Sequence, residues 1–318
     1  MPEINTPPES SHGASAVVAA LLITHRPQMG ALRDLLAALP GRVAQIWVVD
    51  DASPSGTQAE IARLAAETAG ATARFLPLPE NLGIAAAINR GVEAARAAGA
   101  THFLLLDQDS LPAPDMVDRL LEAEARALAH DLKPAAVGPA LHDGEHLLPF
   151  VRFRPLAPPR ALAPDADGCC AADFLISSGM LIRASVFDTV GGMDESLFID
   201  NVDLEWCFRA RSAGFSTIGV FAARLAHRVG EGRVRLPGGI AIARHSPMRL
   251  YYMMRNRVRL YRRPCVPRRW IAQDIPRLIG KFFIFSLCAA PRAQNARFML
   301  RGLCDGIRDR GGKVPVIF

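Results

Sequence analysis

The chain has 318 residues, of which half are apolar and 21% are charged, so a large core can form without a membrane. Positions 1–14 lack the basic-then-apolar pattern of a signal peptide, and the apolar stretch 282–290 is too short to span a bilayer. Six cysteines without a CxxC pair are typical of reduced thiols in the cytosol.

Apolar runs alternate with segments of helical spacing between positions 16 and 129. The predicted strands are 16–23, 45–50, 73–78 and 101–107, and the predicted helices between and after them are 29–39, 57–70, 83–99 and 113–129. Such alternation predicts right-handed βαβ units and a parallel sheet that is buried on both faces.

The pattern changes after about residue 140. Residues 142–168 are rich in proline, glycine and charge and are predicted to be a long loop or an excursion at the sheet edge. A strand, a short helix, an acidic loop, a helix that ends at Gly214 and a strand at 216–221 are predicted to follow. Beyond about residue 240 the chain is predicted to be helical and basic. We therefore divide it into a disordered tail (1–14), an α/β domain (15–240) and an Arg-rich helical region (241–318).

Arginine is concentrated in the last of these regions. Residues 244–277 contain ten arginines against one acid, Asp274. A block of this kind indicates an anionic partner such as phosphates, lipid headgroups or nucleic acid, unless it is simply a solvated helix face.

Three polar clusters each follow an apolar strand: Thr24-His25-Arg26, Asp50-Asp51 and Asp107-Gln108-Asp109. The carboxyl ends of parallel strands lie at one edge of a sheet, where ligands bind in α/β folds. The Asp107/Asp109 pair suits Mg²⁺ or Mn²⁺ beside a diphosphate, or else forms an acidic turn. The Asp50-Asp51 pair suits a nucleoside base or ribose, or else caps the helix at 57.

Further candidates lie at predicted helix starts and after a strand. Asn81 and Gly83 could direct N–H groups to a phosphate, or form a tight strand-to-helix turn. The acids Asp200, Asp203 and Glu205 include a carboxylate that could take a proton from a hydroxyl, or they stabilise a first helical turn. A histidine, His227, follows the strand at 216–221 and is either a third metal ligand or structural.

In this order, the clusters resemble those of the inverting glycosyltransferases of family 2, and more narrowly their bacterial rhamnosyltransferase branch. The resemblance covers residues 16 to 312 and is carried by the motifs "VVDDAS", "ENLGIAAAINRG", "FLLLDQDS", "ISSGMLI", "VGGMDESLFIDNVDLEWCFRARSAGF" and "RLYYMMRNRVRLYRR" together with the later histidine. It implies a GT-A fold: a nucleotide-sugar-binding α/β domain with a mixed, mostly parallel central sheet flanked by helices, plus the basic helical C-terminal region.

The resemblance also implies roles for matching residues. Asp203 matches the catalytic base, Asp109 and His227 match the ligands of the Mg²⁺ or Mn²⁺ cofactor, and Asp107 matches a ribose or diphosphate contact. The nucleotide-binding candidates also include Thr24, Arg26, Asp50, Asp51, Asn81 and Gly83. The candidates for acceptor or diphosphate binding are Ser178, Gly179, Asp200, Glu205, Trp206, Arg249, Tyr252 and Arg255.

Two departures from the family pattern stand out. Val202 precedes Asp203 where many relatives have Glu, and His25-Arg26 follows Thr24 where many have an aromatic residue or Asn. The rhamnosyltransferase branch tolerates the first departure, whereas the second leaves the contacts to the base open.

By this resemblance, the donor is dTDP-L-rhamnose and the acceptor is a growing surface polysaccharide, which could be carried on a lipid diphosphate at the cytoplasmic membrane face. No nucleic acid partner is expected. The alternatives are a family 2 transferase that uses a UDP- or GDP-sugar, and a non-catalytic membrane-surface or nucleic-acid binder that uses residues 244–277. A dinucleotide enzyme is disfavoured because no GxGxxG motif opens the first helix. A pure binder of phosphates is disfavoured because three acidic clusters would repel them.

Overall fold

The structure is a computed structural model that describes residues 16–144, 146–226, 233–235 and 241–315. The predicted tail at 1–14 lies outside the described residues. The helices are α1 (Met29–Ala37), α2 (Ser55–Ala69), α3 (Ile84–Ala97), α4 (Met116–Ala129), α5 (Ala184–Val190), α6 (Val202–Ser212), α7 (Pro247–Leu260), α8 (Arg268–Leu287) and α9 (Arg292–Ile307). The strands are β1 (Val18–Thr24), β2 (Gln45–Asp50), β3 (Ala73–Pro77), β4 (His102–Asp107), β5 (Leu111–Pro112), β6 (Pro134–Asp143), β7 (His146–Leu148), β8 (Val151–Arg154), β9 (Ala157–Ala161), β10 (Cys169–Ala172), β11 (Leu181–Arg183), β12 (Ser216–Ala226), β13 (Arg233–Arg235) and β14 (Ala241–Ala243).

The central sheet is mixed, as predicted. Its order is β10-β12-β6-β11-β4-β1-β2-β3, with β5 beside β12 and β7 beside β6. The strands β3, β2, β1 and β4 are parallel, as are β6 and β12, while β11 runs antiparallel between β4 and β6. The run of four parallel strands consists of those predicted between positions 16 and 107.

The segment 142–168, predicted to be a long loop or an excursion at the sheet edge, contains the short strands β7, β8 and β9, so a structureless loop is ruled out. These strands are short, and two of them form a separate hairpin. Their residues are largely exposed or half-buried, and β9 contains two prolines. Neither an apolar run nor an alternating pattern therefore marks them in the sequence.

Two cores lie on opposite faces of the sheet. In β1, Ala19 and Leu21 pack with α3, α5 and α6, whereas Val18, Ala20 and Leu22 pack with α1, α2 and α4. Neighbouring residues of a strand point to opposite faces, so a strand covered on both sides must be apolar throughout. This layering explains the continuous apolar run at the start of the chain.

The helices α7–α9 share a small core of their own and also join the main one. Their own cluster includes Leu250, Met254, Leu278, Phe285 and Met299. The main cluster continues into this region through Leu260 and Trp270, whose ring centre lies 5.4 Å from that of Phe208. The division at residue 240 stays a prediction.

Most arginines of the basic block are used inside the protein, which differs from the prediction of an exposed anion-binding surface. The ion pairs are Arg249–Asp200, Arg257–Asp274, Arg259–Asp309, Arg263 with Asp194 and Glu205, and Arg269–Asp173. Most of these acids lie far from the block in sequence, so a count of charges along the chain could not reveal the pairing.

Candidate active site

The carboxyl ends of β1 and β2 are joined by a buried carboxylate. Thr24 lies opposite Asp50 in the sheet register, and its hydroxyl donates to Asp50 Oδ1 over 2.9 Å. Ser53 donates to the same carboxylate through its hydroxyl and its N–H, each at 2.7 Å. The side chains of Thr24 and Asp50 are fully buried. These hydrogen bonds hold the loop that follows β2. The predicted contact of Thr24 and Asp50 with a nucleotide stays a prediction.

Asp51 fixes the turn that begins α3. Its two carboxylate oxygens accept the N–H groups of Leu82 and Gly83 at 2.7 and 2.9 Å. Gly83 has φ +89°, and a Cβ there would lie 2.5 Å from Cδ2 of Phe198. Glycine is therefore required by both conformation and space. The amide of Gly83 is engaged within the protein, which favours the tight-turn alternative over a phosphate contact. Burial raises the pKa of Asp51.

The same edge carries a second set of contacts between loops. The N–H of His25 donates to Gln108 Oε1 at 2.9 Å, and His25 Nδ1 lies 2.7 Å from the carbonyl oxygen of Asp51. Asn81 lies beside the His25 ring, and its Oδ1 atom is buried without a hydrogen-bond partner. Arg26 is exposed. The structure thus brings the loops after β1, β2 and β4 and the turn before α3 to one edge, as the topology predicts.

Asp107 and Asp109 lie at the end of β4 and on the turn after it. Asp107 is half-buried and Asp109 is exposed. Their carboxylate oxygens are the donors that Mg²⁺ and Mn²⁺ prefer. Within the described ranges no cluster of three or more His, Cys, Asp or Glu side chains is arranged to hold a metal. The predicted third ligand, His227, lies outside the described residues. The donor set fits a divalent cation only if a substrate completes it.

Asp203 lies in the first turn of α6 and is half-buried. Its Oδ1 accepts the N–H of Leu204 at 2.8 Å, and its Oδ2 accepts that of Ser177 at 3.3 Å. Burial, reinforced by the negative charges of Asp107 and Asp200, raises the pKa of Asp203 to about 6. A carboxylate with this pKa is suited to general base catalysis near neutral pH. The mutual repulsion of these three acids also favours a cation nearby.

The loop before α6 is held in an unusual conformation. Phe198, Asp200 and Asn201 have φ values of +65°, +65° and +64°, a region that non-glycine residues seldom adopt. The Asn256 amide on α7 donates to the carbonyl oxygens of Leu197, Ile199 and Asp200 at 3.0, 2.7 and 2.8 Å. These bonds offset the strain and thereby fix the entry to α6.

Arg255 reinforces this arrangement. Its guanidinium donates to the carbonyl oxygens of Ser196 and Leu197, at 3.2 and 2.8 Å, and to that of Gly312. It also lies 4.8 Å from the ring centre of Tyr252. The side chain of Arg255 is 1% exposed. We call Arg255 and Asn256 together the carbonyl clamp, because both side chains bind carbonyl oxygens of the strained loop.

Several residues predicted to contact the acceptor or the diphosphate have side chains that are buried in the core or engaged in internal hydrogen bonds, and their predicted roles stay predictions. The Trp206 indole is fully buried and donates to the carbonyl of Gly191. The other buried candidates are Ser178, which bonds Ser110; Glu205, which pairs with Arg209 and Arg263; Tyr252, which accepts from the N–H of Val314; and the clamp residue Arg255.

The remaining candidates for acceptor contact lie close to the base. Asp200, which lies three residues before Asp203, forms a half-buried ion pair with Arg249 at 3.2 Å. Gly179 has φ +84°, and a Cβ there would clash with Pro139. Glycine is thus required at position 179 by both the backbone conformation and the available space.

Sequence reasoning missed four residues that organise the site: Ser53, Asn89, Gln108 and Asn256. Asn89 exchanges hydrogen bonds with the backbone of Met193 at 2.8 and 2.9 Å and thus fixes the segment before the strained loop. All four lie inside the sequence motifs quoted above, but the hydrogen-bond partner of each is identified only in the folded chain, so the motifs alone did not reveal these roles.

Two curated proteins are similar to most of the chain. The dTDP-rhamnosyl transferase RfbF of Shigella flexneri is 27% identical over 298 residues, which cover 91% of this chain and 95% of that protein. The N-acetylglucosaminyl-diphospho-decaprenol L-rhamnosyltransferase of Mycobacterium tuberculosis is 26% identical over 271 residues, which cover 75% and 84%.

Solved structures share the fold at low identity. A structure of GalNAc-T7 with UDP, GalNAc and Mn²⁺ superposes with a TM-score of 0.58 at 13% identity, over 92% of this chain and 56% of that one. The mannosyltransferase PcManGT of Pyrobaculum calidifontis, in complex with GDP-Man and Mn²⁺, gives 0.54 at 15% identity, over 94% and 76%. This likeness concerns the fold, which is GT-A.

The family model described as Glycosyl transferase family 2 matches residues 30–132, a span that runs from α1 to the end of α4 and includes the loops after β2 and β4. The chain is therefore similar to family 2 glycosyltransferases over this span and to two rhamnosyltransferases over most of its length, and it shares the GT-A fold.

Proposed function

We propose that the protein is an inverting rhamnosyltransferase that moves L-rhamnose from dTDP-L-rhamnose to a hydroxyl group of a saccharide acceptor. The donor is supported by similarity to a dTDP-rhamnosyl transferase along 91% of the chain. A family 2 transferase that uses a UDP- or GDP-sugar is the alternative. The acceptor is proposed to be a growing surface polysaccharide, and the reaction to take place in the cytoplasm.

The environment of Asp203 is the single observation that carries the reaction type. Its carboxylate takes the proton of the acceptor hydroxyl as the hydroxyl oxygen attacks the anomeric carbon of the donor. The bond from that carbon to the diphosphate breaks, its electron pair leaves with the nucleoside diphosphate, and the configuration inverts. Two backbone N–H groups hold the carboxylate in place during this transfer.

Asp107 and Asp109 would hold the divalent cation in this proposal, together with oxygens of the donor diphosphate. When bound, Mg²⁺ or Mn²⁺ would neutralise charge that develops on the leaving diphosphate. The GalNAc-T7 and PcManGT structures both contain Mn²⁺. A contribution from His227 remains part of the proposal.

Asn81 supports the nucleotide side of the proposal. Its Oδ1 atom is buried and lacks a donor among the described residues. Buried amide oxygens are normally bonded, so a missing donor favours a ligand. The imide N–H of thymine in a dTDP-sugar is a donor of the required kind, and uracil in a UDP-sugar offers the same group.

We also propose that the helical region contacts the membrane peripherally, with an anionic lipid surface as the occupant. Ile275, Ile279, Phe283 and Leu287 recur every fourth residue along α8, and each is 41–63% exposed. Between residues 264 and 304 the one acid, Asp274, is buried, whereas arginines such as Arg268 are exposed. Such a helix face suits an interface with acidic headgroups. None of the described helices is both long and apolar enough to cross a bilayer.

The activity is tested with purified protein, Mn²⁺ or Mg²⁺, and a panel of dTDP-rhamnose, UDP-glucose, UDP-galactose, UDP-N-acetylglucosamine and GDP-mannose. Release of nucleoside diphosphate is measured for the wild type, Asp203→Asn, Asp109→Asn and the exposed control Asp118→Asn. We expect turnover with dTDP-rhamnose that Asp203→Asn loses and Asp118→Asn keeps. Loss in Asp109→Asn that excess Mn²⁺ partly restores would support its metal role.

Binding separates a missing acceptor from a wrong proposal. If no donor turns over, calorimetry with dTDP and Mn²⁺ decides: binding retains the transferase proposal and calls for acceptors, whereas absence of binding rejects it. The membrane contact is tested by flotation with phosphatidylglycerol vesicles, comparing the wild type with Phe283→Ser. Equal flotation of the two proteins, or none of the wild type at physiological salt, would reject that contact.

A further inference from the structure

One face of α7 carries a series of cationic or polarisable side chains that point towards α8. The residues His245, Arg249, Met253 and Arg257 are each four apart, so they lie along one side of the helix and its N-terminal extension. All four are half-buried. We define the basic row as His245, Arg249 and Arg257 with Lys281 of α8.

Side-chain contacts place the Lys281 amine opposite this face. Its Nζ lies 3.8 Å from Sδ of Met253 and 5.9 Å from the ring centre of Phe285. The ring of His245 lies 5.8 Å from that same phenylalanine ring. Arg257 Nε lies 3.4 Å from Oδ2 of Asp274, which accepts a hydrogen bond from Tyr261 at 2.6 Å. The basic row therefore lies between α7 and α8.

The basic row contains donors without acceptors among the described residues. Arg257 Nη1 is buried and makes no hydrogen bond within this part of the chain, and Arg257 Nε has only the carboxylate of Asp274, at 3.4 Å. Lys281 reaches a thioether, which is a weak acceptor for an ammonium group. Buried polar groups are nearly always hydrogen-bonded in folded proteins, so several unsatisfied donors in one place indicate that an acceptor is missing.

The charge balance indicates the sign of the missing group. Arg249, Arg257 and Lys281 face two carboxylates, Asp200 and Asp274. Burial, with the positive charge of Arg257 next in importance, lowers the pKa of Lys281 to about 8. Burial also lowers the pKa of His245 to about 4, with Lys281 adding to the effect. An anion between these two helices would counteract both shifts.

The basic row reaches the candidate active site through one ion pair. Arg249 binds Asp200, which lies three residues before the base Asp203 and contributes to its raised pKa. A group held by the basic row would therefore be linked to Asp203 through Arg249 and Asp200. Phosphate oxygens match the need, because they carry charge and accept several hydrogen bonds at once.

We propose that the basic row is a diphosphate-binding site that positions a substrate beside Asp203. This proposal rests on the proposed transferase function. The diphosphate has two possible sources, an acceptor saccharide carried on a diphosphate and the leaving group of the donor. Arg257 and Lys281 supply the hydrogen bonds, and Arg249 links the site to the base.

The probes are inorganic pyrophosphate, decyl diphosphate and dTDP, measured by calorimetry with EDTA for the first two and with Mn²⁺ for dTDP. The variants are Lys281→Met, Lys281→Arg and Arg257→Met, and the control is Arg268→Met, an exposed arginine of the same helix as Lys281. We expect Lys281→Met and Arg257→Met to weaken pyrophosphate binding about tenfold each, the usual effect of losing a charge-assisted hydrogen bond. Lys281→Arg should retain binding, and Arg268→Met should not change it.

The other probes separate the two sources. If the variants bind both decyl diphosphate and pyrophosphate more weakly but bind dTDP normally, the site serves the acceptor. If they bind dTDP more weakly as well, the site serves the donor. Unchanged pyrophosphate binding in both Lys281→Met and Arg257→Met, with thermal unfolding showing that both variants fold, would overturn the proposal. Normal dTDP binding and turnover in that case would leave the transferase function standing, whereas pyrophosphate binding without any donor binding would reject the function and retain the site.

Discussion

Replacing Asp203 by asparagine should abolish transfer and yet stabilise the protein at neutral pH. The folded protein raises the pKa of this carboxyl from 3.8 to about 6. It therefore holds the proton more tightly than the unfolded chain, and its stability falls as the pH rises from about 4 to 6 and then stays level. At about 1.4 kcal/mol per pH unit, the ionised carboxylate costs the folded protein about 3 kcal/mol at pH 8.

Asparagine removes that cost but gives up part of the existing hydrogen bonding. Its amide oxygen can accept one of the two N–H groups that now bind the carboxylate, so about 1 kcal/mol is lost. We expect Asp203→Asn to increase the free energy of unfolding by about 2 kcal/mol at pH 8 and by well under about 1 kcal/mol at pH 5. The difference between the gains at pH 8 and pH 5 tests the reasoning, because only the cost of the ionised carboxylate changes with pH.

Urea denaturation followed by tryptophan fluorescence measures this difference, because Trp206 and Trp270 are buried. The buffer should contain EDTA so that no divalent cation binds near the carboxylate. Asp34→Asn serves as the control, since Asp34 is exposed on α1. A variant that is no more stable than the wild type at pH 8, or whose gain is the same at both pH values, would refute the reasoning from burial.

Three further predictions concern the same part of the molecule. The value of kcat/KM should fall about tenfold per pH unit below pH 6 and stay level above it, because only the ionised base of Asp203 accepts a proton; a flat profile down to pH 5 would contradict this. Gly83→Ala should lower the free energy of unfolding by more than about 2 kcal/mol, since it adds a clash with Phe198 to the strain of positive φ, whereas Gly99→Ala, with φ +84° and open space, should cost only about 1 kcal/mol. Asn256→Ala should lower both Tm and kcat, because the carbonyls of Ile199 and Asp200 lose the Asn256 donor, that of Leu197 keeps only Arg255, and the strained loop relaxes; differential scanning calorimetry and the transfer assay measure the two effects, and normal kcat despite a lower Tm would reject a positioning role.

The parallel half of the sheet could be predicted from sequence because its strands are long apolar runs. In β1 and β4 every described interior position is covered by a helix on each side, and the first polar residue marks the strand end. The strands β7, β8 and β9 could not be predicted in this way, since they are short and largely exposed or half-buried.

The positions of the site residues followed from topology, whereas their environments did not. Asp50 and Asp51 lie at the predicted sheet edge, but their carboxylates bind the protein's own donors. Arg255 lies in a basic motif that suggests an anion, but it binds the carbonyl groups of Ser196 and Leu197, which are distant in the chain. A sequence supplies the donors of such bonds, but their acceptors are identified only when the chain is folded.

The carbonyl clamp has a consequence for exchanging parts between related enzymes. Asp203, the proposed base, belongs to one region of the chain, but the loop before it is held by α7, a helix from another region. A chimaera that takes the segment 241–318 from a relative would separate the clamp from the carbonyl groups at 196–200. The loop at 196–200 and the segment 241–318 must therefore come from the same parent protein. A chimaera intended to change acceptor choice should transfer both segments together.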